Sequence, residues 1–434
     1  MSLWCASVVD GAATEHGVRF EVGDDGRILN RRTGPPQNGD LRLCTVVAGA
    51  GNAHSHAFHR ALRGRTHDHG GDFWRWREEM YETAAALTPE SYFALATAVF
   101  AEMLASGYTA VGEFHYLHHR VDGSAYPHAF ERALAAAARA TGIRLTLLDT
   151  AYLAGGIGRP LEGTQRRFGD GDAAGYLRRW HALRAELPSL GAALHSVRAV
   201  DPAAIAEIVA GLPAEVPLHI HLSEQPRENS DSVAAYGLTP TALLARAGVL
   251  SPRLTVVHAT HLSDDDIRML GDARVSVAMC PTTEADLGDG IGPARRLADA
   301  GAVIALGSDQ NAVIDPFLEM RGLEMHERLA ARARGRFRPA ELFAASADGS
   351  YRALGLGSHR LQPGDLCDLV EIDPGTERTA GADPRQFPLV ATAADVRRVL
   401  VGGRVVADSG VLADGRRPAR LLTEALAARE AVAS

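Results

Sequence analysis

Residues 254–283 read LTVVHATHLSDDDIRMLGDARVSVAMCPTT, and this stretch contains one complete unit of strand, helix and strand. Two runs rich in strand-forming residues, at 254–262 and 274–283, flank a segment with helical periodicity. The helix is predicted to begin after Ser263, because Ser263 and Asp266 have the spacing of an N-terminal capping box. The stretch therefore predicts a parallel βαβ unit.

Units of this kind recur between about residue 43 and residue 311. The eight predicted strands are 43–50, 108–116, 144–153, 191–200, 216–224, 254–262, 274–283 and 302–311. Eight repeated units close most naturally into a TIM-like (β/α)₈ barrel, an α/β fold whose active site lies at the carboxyl ends of the strands. We expect this barrel domain to span residues 47–357.

The two ends of the chain differ from its middle. Short strand-like pieces, among them VRFEVGD, CDLVEID and VRRVLVGGRVVADSG, are separated by Gly, Pro and Asp turns. Their apolar faces are too short to be stable separately. We therefore expect residues 1–46 and 358–434 to meet in one composite domain, a small β-sandwich beside the barrel.

Composition excludes several classes of protein and partner. With 434 residues, 46% of them hydrophobic and 23% charged, the chain is neither disordered nor collagen-like nor a coiled coil. A net charge of −8 gives little attraction to nucleic acid or to an anionic membrane, so neither is expected as a partner. The N-terminus lacks a basic segment before an apolar one, and no apolar run reaches membrane-spanning length, which predicts a cytoplasmic protein.

All 45 basic residues are arginine, so the chain contains no lysine. This excludes a pyridoxal phosphate Schiff base, a P-loop lysine and a carboxylated lysine that bridges two metal ions. The four cysteines, Cys5, Cys44, Cys280 and Cys367, lie far apart without a CxxC spacing. That spacing argues against a zinc ribbon or a disulfide framework.

Histidines and a carboxylate gather where predicted strands end. GNAHSHAFHRALRG follows the first strand and places His54 and His56 on one face of an extended chain. The fifth strand adds His221 and the eighth adds Asp309, whereas His219 is deeper and more typical of a packed core residue. Three imidazoles and one carboxylate suit a single divalent ion, most simply Zn²⁺, with Fe²⁺, Mn²⁺ or Co²⁺ as alternatives. Such an ion lowers the pKa of a bound water to about 7, which predicts a hydrolytic site.

Several motifs in order carry a resemblance to a known family. They are HSHAFHRALRG, FWRWREEMY, GYTAVGEFHYLHH, LHSVRAV, HIHLSEQ, VHATH, TEADLGDGI and GSDQN. With them the chain resembles the mononuclear deaminase branch of the amidohydrolase superfamily, and within it the formimidoylglutamate deiminases of histidine degradation. The resemblance covers almost the whole chain. It implies hydrolysis of N-formimino-L-glutamate to N-formyl-L-glutamate and ammonia, one bound metal ion and a homodimer.

The resemblance and the chemistry of deimination together suggest roles for the strand-end residues. The metal ligands would be His54, His56, His221 and Asp309. A metal-bound hydroxide would attack the formimidoyl carbon, and Asp309 would also accept a proton from the water. Glu224 would carry protons to the nitrogen that leaves, although a helix-cap carboxylate is the alternative interpretation. His258 would orient the attacking water or polarise the developing tetrahedral centre.

A dicarboxylate substrate needs fixed cations, and arginine is suited to bidentate capture of a carboxylate. Arg198 lies near the end of the fourth strand with His195 beside it. Arg77 lies in FWRWREEMY, which we predict as a loop after the first strand, and Arg75 is the competing choice there. Tyr116, at the end of the second strand, is either a hydroxyl donor to a carboxylate or a half-buried aromatic residue.

Two further candidates for substrate binding stand at positions that vary among the relatives. His59 follows HSHAF where relatives often have glutamine, and an imidazole can also donate a hydrogen bond. Glu284 stands where purine and pyrimidine deaminases of the superfamily often have an asparagine-bearing motif. An acidic side chain there is expected to meet the cationic formimino nitrogen.

Three other functions fit parts of this pattern. The first is a deaminase of guanine or another aminated heterocycle, but a neutral base needs few cations whereas a dianionic acyclic substrate needs two. The second is an inactive scaffold with an amidohydrolase fold, which the intact metal ligands disfavour. The third is a deacylase that expels an amino acid in place of ammonia, and only its product would distinguish it.

Overall fold

The computed structural model describes residues 1–10, 13–66 and 73–433, and only the backbone at residues 10, 73–75 and 429–433. The strands are β1 (Ser2–Asp10), β2 (Ala13–Val22), β3 (Ile28–Thr33), β4 (Leu41–Ala48), β5 (Ala50–Ser55), β6 (Tyr108–His115), β7 (Arg144–Ala151), β8 (Leu190–Leu194), β9 (Leu218–Leu222), β10 (Leu254–His258), β11 (Ser276–Met279), β12 (Val303–Leu306), β13 (Leu369–Ile372), β14 (Val396–Val401), β15 (Arg404–Asp408) and β16 (Val411–Leu412). The α-helices are α1 (Phe73–Ala86), α2 (Pro89–Ser106), α3 (Ala129–Thr141), α4 (Ala173–Glu186), α5 (Pro202–Gly211), α6 (Pro226–Tyr236), α7 (Pro240–Arg246), α8 (Asp264–Asp272), α9 (Pro281–Leu287), α10 (Ala294–Ala300), α11 (Pro316–Ala331), α12 (Pro339–Ala344), α13 (Ser350–Ala353), α14 (Phe387–Val390) and α15 (Pro418–Ala433). Short 3₁₀-helices span Ala57–Leu62, Gly163–Arg167, Pro384–Gln386 and Ala393–Asp395, and a π-helical turn spans Ala345–Gly349.

Strands β5 to β12 form an eight-stranded sheet whose order follows the chain and whose neighbouring strands are all parallel. The sheet closes at the carboxyl ends of its first and last strands, where Ser55 and Asp309 form a parallel bridge. The backbone N–H of His56 donates to the carbonyl of Asp309 at 2.9 Å, and the N–H of Asp309 donates to the carbonyl of His54 at 2.9 Å. The predicted (β/α)₈ barrel is confirmed.

Both ends of the chain contribute to a second eight-stranded sheet, in the order β16, β15, β14, β13, β4, β1, β2 and β3. Strand β4 joins the two ends, since it pairs in parallel with β1 and antiparallel with β13. Leu3, Phe20, Leu43 and Leu369 pack in one apolar core of this sheet. The small β domain built from both termini is confirmed, and its exact boundaries stay a prediction.

The first predicted barrel strand, 43–50, is wrong in its bounds. Its residues belong mainly to β4 of the terminal sheet, and the first barrel strand is β5, which begins at Ala50. Gly49 lies between the two strands, and a side chain there would collide with the side chain of Thr109. The apolar run continues through Gly49 from β4 of the terminal sheet into β5 of the barrel, so apolar character alone does not show where one strand ends and the next begins.

FWRWREEMY, which we predict as a loop, begins α1 instead. The residues after the aromatic pair are good helix formers, which favours a helix over a loop. Arg167, buried beside the last turn, donates from Nη1 to the carbonyl of Ala85 at 3.1 Å and from Nη2 to the carbonyl of Leu87 at 3.0 Å. A guanidinium at a helix C-terminus satisfies carbonyls that have no partner within the helix.

Two expectations from composition concern cysteines and membranes. Cys5, Cys44, Cys280 and Cys367 all carry free thiols. Among the helices of the described part of the chain, none combines the length and the apolar character needed to cross a bilayer.

One buried carboxylate connects the barrel to the terminal sheet. Asp368 directly precedes β13, and its side chain accepts hydrogen bonds from Arg144 Nε at 2.6 Å and Nη2 at 3.0 Å. It also accepts from the hydroxyl of Tyr351 at 2.7 Å and from the N–H of Gly402 at 2.6 Å. Since Arg144 and Tyr351 belong to the barrel side, Asp368 anchors the two sheets to each other.

Replacing Asp368 with alanine should lower the free energy of unfolding by about 3 to 5 kcal/mol, because Arg144 would remain as a partly buried charge without its partner. Urea denaturation followed by circular dichroism measures this change. The control is Glu424→Gln, which removes an exposed partner of Arg420 on α15 and should unfold at the same urea concentration as the wild type. Equal midpoints for Asp368→Ala and wild type would contradict the anchoring role.

Candidate functional site

The barrel brings the predicted metal ligands together at the carboxyl ends of its strands. His54 lies in β5 and His56 follows it, His221 lies in β9, and Asp309 follows β12. All four side chains are buried. Asp309 has a left-handed backbone with φ of 46°, a conformation that is costly for most residues and that functional sites often retain. Residues far apart in sequence therefore converge on one point.

Two of the imidazoles are held with their Nε2 atoms turned to the centre. His56 donates from Nδ1 to the carbonyl of Phe114 at 2.9 Å, and His221 donates from Nδ1 to the carbonyl of His195 at 2.9 Å. Each Nε2 atom then carries a free lone pair, which is the usual arrangement in metal-binding histidines. Burial lowers the pKa of His56 to about 3 and holds the pKa of His54 and His221 well below its usual range. These imidazoles are neutral and able to bind a metal ion.

The spacing of the donor atoms fits one metal ion. The Nε2 atoms of His54 and His221 are 3.1 Å apart. Asp309 Oδ1 lies 3.4 Å from Nε2 of His54 and 3.5 Å from Nε2 of His56. Ligands about 2.0 to 2.1 Å from a common tetrahedral ion lie about 3.3 Å from one another. The donor set therefore has both the chemistry and the spacing to hold a single divalent cation.

His258, the last residue of β10, lies among three carboxyl groups. Its Nε2 is 3.8 Å from Glu224 Oε1 and 3.8 Å from Asp309 Oδ2, and its Nδ1 is 3.5 Å from Glu284 Oε1. Burial disfavours a charge on this imidazole, but the carboxylates, Glu224 first, outweigh burial and raise the pKa of His258 to about 10. His258 also forms, with His54 and His221, a group that could hold a metal ion, and in its protonated form the imidazole donates a hydrogen bond instead.

Glu224 and Arg198 link the metal centre to a neighbouring cavity. Glu224 follows β9 and is buried, with Oε1 towards His258 and Oε2 3.7 Å from Arg198 Nη2. Arg198 Nε lies 3.6 Å from Oε2 of Glu228, a carboxyl group whose pKa is raised by burial. The guanidinium of Arg198 therefore lies between carboxylates on one side and the cavity on the other.

The cavity has a volume of about 570 Å³, and four of the fifteen residues that line it are arginines. Its lining includes the predicted residues Arg77, His195 and Arg198. The ring of His195 lies 5.1 Å from the ring of His221, so this wall residue of the cavity adjoins one of the candidate metal ligands. Arg77 Nη2 donates to the hydroxyl of Tyr152 at 3.4 Å. This arrangement can bind an anionic ligand beside the metal centre.

Five polar residues of the cavity wall were not predicted. They are Tyr152, Arg159, Ser196, Arg227 and Asp231. Tyr152 directly follows β7, so the rule that functional side chains lie at strand ends could have identified it. Arg159 and Arg227 lie in loop and helix segments beyond strand ends, and no sequence signal separates them from exposed surface arginines.

Tyr116 and His59 lie together beside the metal centre. The hydroxyl of Tyr116 is 3.1 Å from Nε2 of His59, and the ring of His59 lies 4.5 Å from that of His56. Both side chains are buried. Their contact to a substrate stays a prediction.

Glu284 lies in α9, on the Nδ1 side of His258. Its Oε1 accepts from the N–H of Cys280 at 2.9 Å. That position can orient the His258 imidazole, and the predicted contact of Glu284 to a formimino nitrogen stays untested. The competing arginine of the α1 segment, Arg75, has a side chain outside the described part of the chain.

Comparisons with known proteins show the family to which the chain is similar. A model of the amidohydrolase family matches residues 45–406. A formimidoylglutamate deiminase from Pseudomonas aeruginosa is 37% identical over 431 residues, covering 94% of this chain and 95% of that protein. A 5-methylthioadenosine/S-adenosylhomocysteine deaminase from Natronomonas pharaonis is 29% identical, covering 85% and 83%. The crystal structure of an amidohydrolase from Brucella melitensis superimposes with a TM-score of 0.91 at 33% identity and covers 99% of both chains.

Replacing His221 with alanine should remove both bound metal and activity, because the centre loses one of its donor atoms. Glu224→Gln should keep the metal, about one ion per chain, and lose turnover by about 10²- to 10⁴-fold. His219→Gln is the matched control in the same strand, since Nε2 of His219 already donates to the carbonyl of Ala353 at 2.8 Å. Metal analysis of the purified variants measures the difference. Full metal content in His221→Ala would show that the centre is misassigned.

Proposed function

The chain belongs to the amidohydrolase family, and from this premise we propose that it is a formimidoylglutamate deiminase. The reaction is the hydrolysis of N-formimino-L-glutamate to N-formyl-L-glutamate and ammonia. The observation that carries the proposal is a site with two charged ends, in which carboxyl groups surround the candidate metal centre and arginines line the adjoining cavity. The substrate has the complementary distribution, a cationic formimino group at one end and two carboxylates at the other.

His54, His56, His221 and Asp309 are the residues that would hold the metal ion, and their neutral imidazoles with one carboxylate favour zinc. When bound, the ion supplies a water molecule whose pKa is low enough to give a nucleophile at neutral pH. Fe²⁺, Mn²⁺ and Co²⁺ accept similar ligands, and metal analysis of the purified protein distinguishes them.

Glu224 is proposed to carry the protons of the reaction. Attack of water on the formimidoyl carbon forms a C–O bond, and the bond from that carbon to the terminal nitrogen then breaks. The terminal nitrogen must receive a proton before it leaves as ammonia. A carboxylate at this position can take a proton from the water and return it to the nitrogen. His258, 3.8 Å from Glu224, would donate a hydrogen bond to the water or to the developing tetrahedral centre.

The arginine end of the cavity is proposed to bind the two carboxylates of the substrate. Arg198 and Arg77 provide guanidinium groups that match a carboxylate with two hydrogen bonds. His195 lies between these arginines and the metal centre, since it lines the cavity and contacts His221. Tyr116 and His59 would add a hydroxyl and an imidazole from the neighbouring side of the site.

The runner-up is a deaminase of an aminated heterocycle, since a relative that carries such a name is 29% identical to this chain. A neutral heterocycle would form no ion pairs with the guanidinium groups of the cavity, whereas an acyclic dicarboxylate would. The acyclic dicarboxylate is therefore the better match. We further propose that the reaction is a step of histidine degradation, that it takes place in the cytoplasm, and that the enzyme is a homodimer.

The direct test supplies N-formimino-L-glutamate to metal-replete protein and measures every product. Ammonia and N-formyl-L-glutamate should appear in equal amounts, because each turnover breaks one C–N bond. Release of glutamate would instead indicate cleavage of the other C–N bond. Absence of turnover together with good activity on guanine would replace the proposal with the runner-up.

Replacing Arg198 with methionine, which keeps much of the side-chain volume, should raise KM for N-formimino-L-glutamate by about 10- to 100-fold through loss of a charged hydrogen bond. Metal content should stay at the wild-type level, which separates this effect from damage to the centre. Arg132→Met is the control, because Arg132 forms an exposed ion pair with Glu186. An unchanged KM in Arg198→Met would exclude Arg198 from carboxylate binding.

A further inference from the structure

Asp289, in the loop after α9, is a buried carboxyl group that the proposed mechanism leaves without a role. Its backbone is held on both sides, since its N–H donates to the carbonyl of Glu284 at 3.0 Å and its carbonyl accepts from Nε2 of His261 at 2.8 Å. In the side chain, Oδ1 accepts a hydrogen bond from Nε2 of Gln225. The other oxygen, Oδ2, is buried and has no partner among the described residues.

This carboxyl group lies close to the acidic end of the site. Gln225, which holds it, directly follows Glu224 in the chain. Burial and then the charge of Glu224 raise the pKa of Asp289, and its charge also interacts with those of His258, Glu284 and Asp309. These are the groups that surround the reacting end of the proposed substrate. Asp289 therefore lies within electrostatic reach of the reaction and is held rigidly there.

The cations of the site are already directed at other carboxyl groups. His258 lies near Glu224, Glu284 and Asp309, and Arg198 lies near Glu224 and Glu228. Within residues 1–10, 13–66 and 73–433, no ion pair of 4.0 Å or less involves Asp289. A buried carboxyl oxygen without a partner is unfavourable, so a ligand that donates a hydrogen bond to Oδ2 would relieve a cost that the folded protein carries. A cationic donor would in addition favour the ionised form of Asp289.

We propose that Asp289 binds the cationic formimino end of the substrate, with Oδ2 accepting a hydrogen bond from its terminal nitrogen. This assignment rests on the proposed function and adds the group that distinguishes a cationic amidine from a neutral amide. Glu284 is the less suitable partner, since its Oε1 is occupied by the N–H of Cys280 and lies beside His258. The product N-formyl-L-glutamate is neutral at this end, so the ion pair is lost on turnover and product release is favoured.

The test compares two ligands that differ mainly at the formimino end. In Asp289→Asn, kcat/KM for N-formimino-L-glutamate should fall by about 10- to 100-fold, because the variant loses a charged hydrogen bond to a cation. The inhibition constant of N-formyl-L-glutamate, which has the same carboxylates and a neutral amide, should stay within about threefold of the wild-type value. Asp289→Glu, which keeps the charge, should recover part of the lost kcat/KM.

A merely structural role predicts a different pattern. Equal weakening of the binding of substrate and product, or no change in either, would overturn the assignment of Asp289.

If Asp289→Asn does not fold, Gln225→Met provides the second variant, since it removes the amide that holds the carboxyl group of Asp289. This variant should show a smaller selective loss of kcat/KM. Asp265→Asn is the control for removing a negative charge, because Asp265 lies exposed on α8. Failure of the wild type to hydrolyse the substrate would overturn the proposed function itself, whereas a normal wild type with an unselective Asp289→Asn would overturn only this inference.

Discussion

The backbone hydrogen bonds that close the barrel between β5 and β12 are the constraint on which the site depends. They run between His56 and Asp309 and between Asp309 and His54, so the residues that close the barrel are themselves candidate metal ligands. Asn311 reinforces the closure, because its side-chain amide donates to the hydroxyl of Ser55 at 3.1 Å and to the carbonyl of His56 at 3.0 Å. The same hydrogen bonds therefore close the barrel and bring the candidate metal ligands together. Weakening these hydrogen bonds would separate the donor atoms.

The site contains two regions of opposite charge, one formed by carboxyl groups and the other by arginines. Carboxyl groups gather over the strand ends, where burial strengthens every electrostatic interaction. Arginines lie along the wall of the adjoining cavity. Arg198 and Glu224 meet at the boundary between the two regions. A ligand with one cationic and one anionic end can satisfy both regions in a single orientation, which favours one alignment of its reacting carbon.

Much of this arrangement could be predicted from the sequence, because parallel barrels place functional side chains at strand ends. That rule located His54, His56, His221 and Asp309 without a structure. It failed at the first strand, where an apolar run continues through a glycine from one sheet into another. It also could not find Asp289, whose approach to the site depends on a loop between Gly288 and Gly290, both with positive φ. Loop geometry of this kind depends on tertiary packing, which leaves no periodic signal in a sequence.

The balance of charge around His258 explains why a metal ion and a cationic substrate suit the same site. The carboxyl groups of Glu224, Glu284, Asp289 and Asp309 interact with this one imidazole in a buried region. Buried carboxyl groups repel one another when ionised, and Arg198 and the His258 imidazolium offset only part of this repulsion. A divalent ion and a cationic ligand would each reduce the remaining repulsion, whereas a neutral ligand would not. The electrostatics of this region therefore favour the binding of cations.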